Sequence, residues 1–73
     1  MKTQEEAVEL ARQAVVGKAT LQPEGPVETV RETDRYIVTF VHVNPPGVRG
    51  PDFDARVTLD ASTGDVIQIL GAS

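Results

Sequence analysis

Residues 54–69 constrain the fold of this chain more than any other stretch, because they predict two strands joined by a tight turn. Apolar and polar residues alternate before the turn and again after it, which is the period of a half-buried strand. The loop Ser62-Thr63-Gly64 fits between the strands as a type I turn followed by a left-handed residue. Glycine adopts that conformation without a clash at Cβ. The stretch therefore predicts a β-hairpin that closes a small domain.

The same alternation predicts the register of this hairpin, because only one pairing places the apolar residues on a common face. A slip of one residue would set Gln68 opposite Val57 and break the agreement. The expected pairs are Ala61 with Asp65, Leu59 with Ile67, and Val57 with Ile69.

Length and composition bound the rest of the domain. The 73 residues predict one small domain, 1–73, near the lower limit of what folds alone. The chain has no cysteine, so disulfide and thiol chemistry are not expected. A net charge of -4 with seven scattered basic residues argues against nucleic-acid binding, and no apolar run approaches the roughly 20 residues of a membrane span.

The start of the chain, Met1–Gln4, does not have the pattern of a signal peptide. Two alternatives follow for localisation. The protein is cytoplasmic, or the chain is a fragment of an exported precursor and belongs to the cell envelope or the secreted proteins.

An N-terminal helix is predicted by the capping box Thr3-Gln4-Glu5-Glu6, in which Thr3 and Glu6 each accept the other's backbone N–H. Gly17 is a suitable left-handed residue past the helix end. The apolar stripe at helical spacing comprises Ala7, Leu10, Ala11, Ala14 and Val15, with Val8 at its margin.

Two further strands are predicted between the helix and the hairpin. Val27–Glu32 alternates weakly, as an edge strand does, and the stretch 35–43 is rich in β-branched and aromatic residues. Both faces of the second strand are apolar, so periodicity leaves open which one meets the helix. We favour the face with the largest side chains, formed by Tyr36, Val38 and Phe40. The fold class expected is α+β, with one N-terminal helix packed on a three- to four-stranded antiparallel β-meander.

Two regions are candidates for protein binding. The opposite face of the 35–43 strand carries Ile37, Val41 and Val43, and a partly exposed apolar face usually meets a partner or a second copy. The loop 44–52 has three prolines and two glycines and is longer than an ordinary hairpin loop. The candidate protein-binding residues are Pro45, Pro46, Val48, Arg49, Ile37 and Val41.

No catalytic, metal or cofactor site is predicted. His42 is the sole histidine and no sequence motif pairs it with an acid, so we expect a structural or surface role. Residues 60–65 superficially resemble a calcium loop, but Gly64 stands where a third oxygen ligand belongs. Asp54 and Asp60 are expected to form surface ion pairs with Arg56. The stretch Gln13–Gly17 matches the short cystatin signature, but it lies in the last turn of the predicted helix, which favours coincidence.

Two stretches together resemble the PepSY domain family. The capped, glutamate-rich start Thr3–Ala11 is similar to the helix of that family, and Val57–Ile67 is similar to its closing strand–turn–strand. The resemblance implies a helix on an antiparallel sheet and a role in protease propeptides or cell-envelope proteins, inhibitory or chaperone-like. It implies no catalytic residues and no cofactor.

These observations lead to one functional interpretation and one alternative. We expect a non-enzymatic binding or regulatory module, protease-inhibitory or propeptide-like, whose partner is a protease or its own precursor. The alternative is a small structural protein that self-associates through its sheet as a homodimer, because an apolar strand and an open edge favour such contacts.

Overall fold

The N-terminal helix, α1, spans Gln4–Val15 and begins at the predicted capping box. The computed structural model describes residues 3–22, 25–50 and 52–71. In it, Thr3 Oγ1 accepts the Glu6 N–H at 3.2 Å, and the Glu6 carboxylate accepts the Thr3 N–H at 3.4 Å. Gly17, with φ +78°, lies in the left-handed region just past the helix, as predicted.

Four strands form one antiparallel sheet in chain order. The predicted fold class is therefore confirmed, with four strands and not three. Each strand pairs with the next along the chain, which makes β1 and β4 the two edges. The first two strands end one or two residues before the predicted boundaries. The strands are β1 Val27–Arg31, β2 Arg35–Val41, β3 Phe53–Asp60 and β4 Val66–Gly71.

The core lies between α1 and one face of β2 and β3. The face that we favoured from the sequence is the one that meets the helix: Tyr36, Val38 and Phe40 are all buried. On β3 the paired residues Leu59, Val57 and Ala55 complete this face and are buried too. The helix contributes Ala7, Ala11 and Val15, and its small side chains let it approach the sheet closely.

The predicted hairpin register is correct at one pair and wrong nearer the turn. Val57 lies opposite Ile69, as expected, but Leu59 lies opposite Val66 and not Ile67. A β-bulge inserts Ile67 as an extra residue on β4, and its side chain is 56% exposed.

The closing pair of the hairpin also differs from the predicted one. The Asp60 N–H donates to the Asp65 carbonyl at 2.8 Å, and Gly64, with φ +81°, donates its N–H to the Asp60 carbonyl at 2.9 Å. Ala61 is not paired with Asp65, because its N–H donates to the Asp34 carbonyl at 2.9 Å, in the turn before β2. Ala61, one residue beyond the end of β3, is buried in the core.

The bulge predicts that two isoleucines on the same strand differ in their contribution to stability. Ile69→Ala removes a side chain packed against the core and should cost about 1 to 3 kcal/mol of unfolding free energy. Ile67→Ala removes an exposed side chain and should cost less than about 0.5 kcal/mol. Urea denaturation of the two variants measures the difference, and equal costs would contradict the bulged register.

Candidate functional site

The six residues predicted to bind protein fall into two groups that adjoin one another. Pro45, Pro46, Val48 and Arg49 are exposed in the loop between β2 and β3. Ile37 and Val41 are half-buried on the sheet face away from α1. The loop leaves the sheet after Val41 and returns at its pairing partner, so loop and face meet at one end of the sheet.

The tip of the loop is a tight turn with defined chemistry. The Val48 N–H donates to the Pro45 carbonyl at 3.0 Å, and Gly47 has φ +78°. Proline at the second position and glycine with positive φ at the third are typical of a type II turn. A Cβ at Gly50 would collide with the side chain of Asn44, so the two ends of the loop lie against each other. The exposed tip is therefore held in one shape.

The base of the loop is fixed by the side chain of Gln22, from the connection between α1 and β1. Its Oε1 accepts the Val43 N–H at 2.7 Å, and its Nε2 donates to the Val43 carbonyl at 3.3 Å. The amide thus replaces a neighbouring strand for the residues just beyond the end of β2. The backbone N–H of Gln22 donates to Asp54 Oδ2 at 3.0 Å.

Asp54 is the centre of this arrangement, and the expectation that it forms a surface ion pair with Arg56 is wrong. Its side chain is 9% exposed, and its Oδ1 lies 2.7 Å from His42 Nδ1. The cause is a β-bulge: Phe40 pairs with Ala55 and Val41 with Phe53, which leaves Asp54 as the extra residue. A bulge re-aims the side chain it carries. His42 is thus paired with an acid that no sequence motif indicated.

The sheet face away from α1, called the outer face below, has no layer over it among the described residues. Its exposed members include Val30 on β1 and Leu70 on β4, at 56% and 41% exposure. Polar side chains separate the apolar ones along each strand. The outer face consists of Glu28, Val30, Ile37, Thr39, Val41, Phe53, Arg56, Thr58, Gln68 and Leu70.

Arg56 lies between Thr39 and Leu70 in the middle of the outer face. Its guanidinium carbon is 4.7 Å from the centroid of the Phe53 ring, and its Nε donates to Thr39 Oγ1 at 3.1 Å. Two contacts therefore hold one exposed cation in position next to Phe53 and Leu70. Sequence reasoning assigned Arg56 to surface ion pairs and did not identify this position.

In the turn that superficially resembles a calcium loop, the first carboxylate accepts hydrogen bonds from the backbone of the turn itself. Asp60 Oδ1 accepts the N–H groups of Ser62 at 2.8 Å and Thr63 at 3.0 Å. The bond from the Thr63 backbone, followed by that from Ser62, lowers the pKa of the Asp60 carboxyl below its ordinary value. In residues 3–22, 25–50 and 52–71, no three His, Cys, Asp or Glu side chains are grouped to hold a metal ion.

Comparisons with protein-family models, curated proteins and solved structures find no match to this chain. The described residues contain no helix that is both long and apolar enough to cross a membrane.

Loss of the buried carboxylate should loosen the loop. Asp54→Ala leaves the Gln22 N–H and the His42 imidazole without their acceptor, and we expect a loss of about 2 to 3 kcal/mol in unfolding free energy. Trypsin should then cleave after Arg49 faster in the folded protein. The matched control is Asp52→Ala, an exposed carboxylate two residues away, which should change neither quantity. Equal effects of the two variants would contradict a central role for Asp54.

Asp60 should contribute to stability in a pH-dependent way. Because its pKa is lower in the folded than in the unfolded chain, its contribution is present above the unfolded value and is lost as the pH falls through the folded value. Asp60→Asn keeps an acceptor oxygen but removes the titration, so its Tm should fall less between pH 7 and pH 2 than that of the wild type. An Asp60→Asn profile identical to that of the wild type would contradict this contribution.

Proposed function

We propose that this chain is a non-enzymatic protein-binding module that contacts its partner through the outer face and the adjoining loop tip. The observation that supports it most is the outer face itself: Phe53 and Thr39 hold Arg56 in place beside Leu70, and no helix of the described residues packs over this face. Exposed apolar side chains next to an arginine and an aromatic ring are typical of interaction sites. The loop tip adds exposed Val48 at a hydrogen-bonded turn, and a turn that is already formed loses less entropy on binding.

The chemistry of Arg56 defines the partner surface. Apart from the bond of Nε to Thr39, no hydrogen bond or ion pair of this guanidinium occurs within the described part of the chain. A carboxylate of the partner, set among aliphatic side chains, would satisfy the remaining N–H groups of Arg56, because guanidinium and carboxylate form paired, charge-assisted hydrogen bonds. Such a bond gains strength when the surrounding apolar contacts exclude water.

The class of partner is inferred from the resemblance to PepSY domains. That resemblance favours a protease, whether encoded separately or joined to this chain in a longer precursor. In either arrangement the module would act as an inhibitor or propeptide by covering part of the protease surface. The proposal requires no cofactor.

The alternative, a small structural protein that self-associates, is favoured by a different observation. The edge strand β4 has exposed apolar residues and no charge, and an edge of this kind invites pairing with another chain. The two proposals use different surfaces, so they are tested separately.

The binding proposal predicts inhibition of a protease with a defined dependence on Arg56. A panel of secreted serine, cysteine and metalloproteases is assayed with the purified chain, and at least one should lose activity in proportion to binding measured by biolayer interferometry. Arg56→Glu reverses the charge at the centre of the outer face and should weaken that binding about tenfold or more.

The matched control is Lys18→Glu, which makes the same change in net charge at an exposed position beyond the end of α1. It should alter binding by less than about twofold, because surface substitutions outside a contact are close to neutral. Circular dichroism establishes that both variants remain folded. If no protease is bound or inhibited, the partner class is wrong. If the two variants weaken binding equally, the outer face is not the contact.

A further inference from the structure

We propose that the loop segment 45–50 enters the active site of a trypsin-like serine protease and that Arg49 binds the specificity pocket of that enzyme. This assignment rests on the protease-binding function proposed above. It deepens that function, because it names the class of protease and the residue that selects it.

Arg49 is the one basic residue in the described parts of the chain that lies in a connection between two strands. It is exposed, and neither its guanidinium nor its backbone forms a hydrogen bond or ion pair with another described residue. By contrast, Arg31, Arg35 and Arg56 lie on strands, and each contacts a neighbouring side chain. Both the side chain and the main chain of Arg49 are therefore available to a partner.

Contacts on both sides of Arg49 hold the segment in shape. Before it, the Val48 N–H donates to the Pro45 carbonyl at 3.0 Å and closes the turn at the tip. After it, Gly50 lies against the side chain of Asn44 so closely that a Cβ at Gly50 would collide with it. The peptide bond between Arg49 and Gly50 thus lies between two fixed points.

The base of the loop is closed as well. The His42 N–H donates to the Asp52 carbonyl at 3.2 Å, across the two ends of the loop. The Gln22 side chain bonds to both backbone groups of Val43, and Asp54 accepts from the Gln22 backbone and contacts His42. A segment held in this way loses less entropy on binding than a free loop does.

The chemistry of Arg49 selects the protease class. The specificity pocket of trypsin has a carboxylate at its base, whereas that of chymotrypsin is a hydrophobic slot. A guanidinium and a carboxylate form paired, charge-assisted hydrogen bonds. The neighbours Val48 and Gly50 are small and exposed, so they leave the approach to such a pocket open.

The anchored loop explains why binding would inhibit the protease and not only supply a substrate. In cleavage, the serine Oγ of the protease bonds to the Arg49 carbonyl carbon and the peptide bond to Gly50 breaks. The Gly50 nitrogen leaves as an amine, with the proton that the protease histidine has taken from the serine. Because the loop is held on both sides of this bond, the amine stays beside the acyl carbon and re-forms the peptide bond faster than water hydrolyses the ester.

Inhibition of trypsin by the whole chain tests the proposal. The wild type should inhibit hydrolysis of a small chromogenic arginine substrate competitively, and it should bind a trypsin whose catalytic serine is replaced by alanine. Arg49→Ala should weaken that binding about thirtyfold or more, as truncation of a hot-spot residue does. Arg49→Lys keeps the charge and should retain inhibition of trypsin, whereas Arg49→Tyr should transfer inhibition to chymotrypsin.

The anchors are tested by the rate of cleavage, with the cut site identified by mass spectrometry. Asp54→Ala should convert the inhibitor into a substrate that trypsin cleaves between Arg49 and Gly50 about tenfold faster or more. Gln22→Ala removes only the two bonds to Val43 and should accelerate the same cut, so the test does not depend on the stability of one variant.

Lys18→Ala is the matched control, because it removes the same charge from an exposed position past the end of α1. It should leave inhibition of trypsin unchanged within about twofold. The proposal is overturned if trypsin is not inhibited, if Arg49→Ala inhibits as well as the wild type, or if the wild type is cut as fast as Asp54→Ala.

These outcomes separate this assignment from the proposed function. Inhibition of a cysteine protease or metalloprotease but not of trypsin would overturn the role of Arg49 and leave protease binding supported. Loss of trypsin inhibition with Arg49→Ala but not with Arg56→Glu would support the loop and contradict the outer face as the contact.

Discussion

The structure depends on the packing of one twelve-residue helix against one side of the sheet. Such a helix is about 18 Å long and packs on one side of the sheet, where it contacts all four strands and covers β2 and β3 most. Ala7 and Ala11 bring the helix backbone close, so the large residues of β2 and β3 fill the space beneath it. Because the described chain supplies no second layer, the outer face must remain soluble by other means. Arg56 contributes to this by lying over the Phe53 ring, and Thr39 separates Ile37 from Val41.

Two β-bulges then determine which side chains become available for function. The bulge on β3 directs the Asp54 side chain toward His42 and the backbone of Gln22. The side chain of Gln22 in turn fixes the base of the proline-rich loop. The other, on β4, leaves Ile67 exposed near the free edge. Both occur next to the surfaces that we propose for binding. An extra residue of this kind locally disrupts the ladder and changes the direction of a side chain, at a cost that the rest of the sheet must offset.

The sequence was sufficient for features that depend on neighbouring residues. The Thr3–Glu6 cap, the left-handed glycines at Gly17 and Gly64, and the alternation of β2 and β3 follow local rules, and all were predicted. The choice of the Tyr36, Val38 and Phe40 face succeeded because volume, and not periodicity, decides what fits beneath alanines.

Features that depend on distant residues were not predictable in this way. Gln22 and Asp54 are 32 residues apart, and nothing near either of them indicates the bond between them. The register near the turn failed for a similar reason, because the N–H of Ala61 bonds to Asp34 in a different turn. The candidate binding residues of the loop adjoin Val41 at the end of β2, but the arginine at the centre of the outer face was not identified. Its position depends on contacts with Thr39 and Phe53 on either side of the loop.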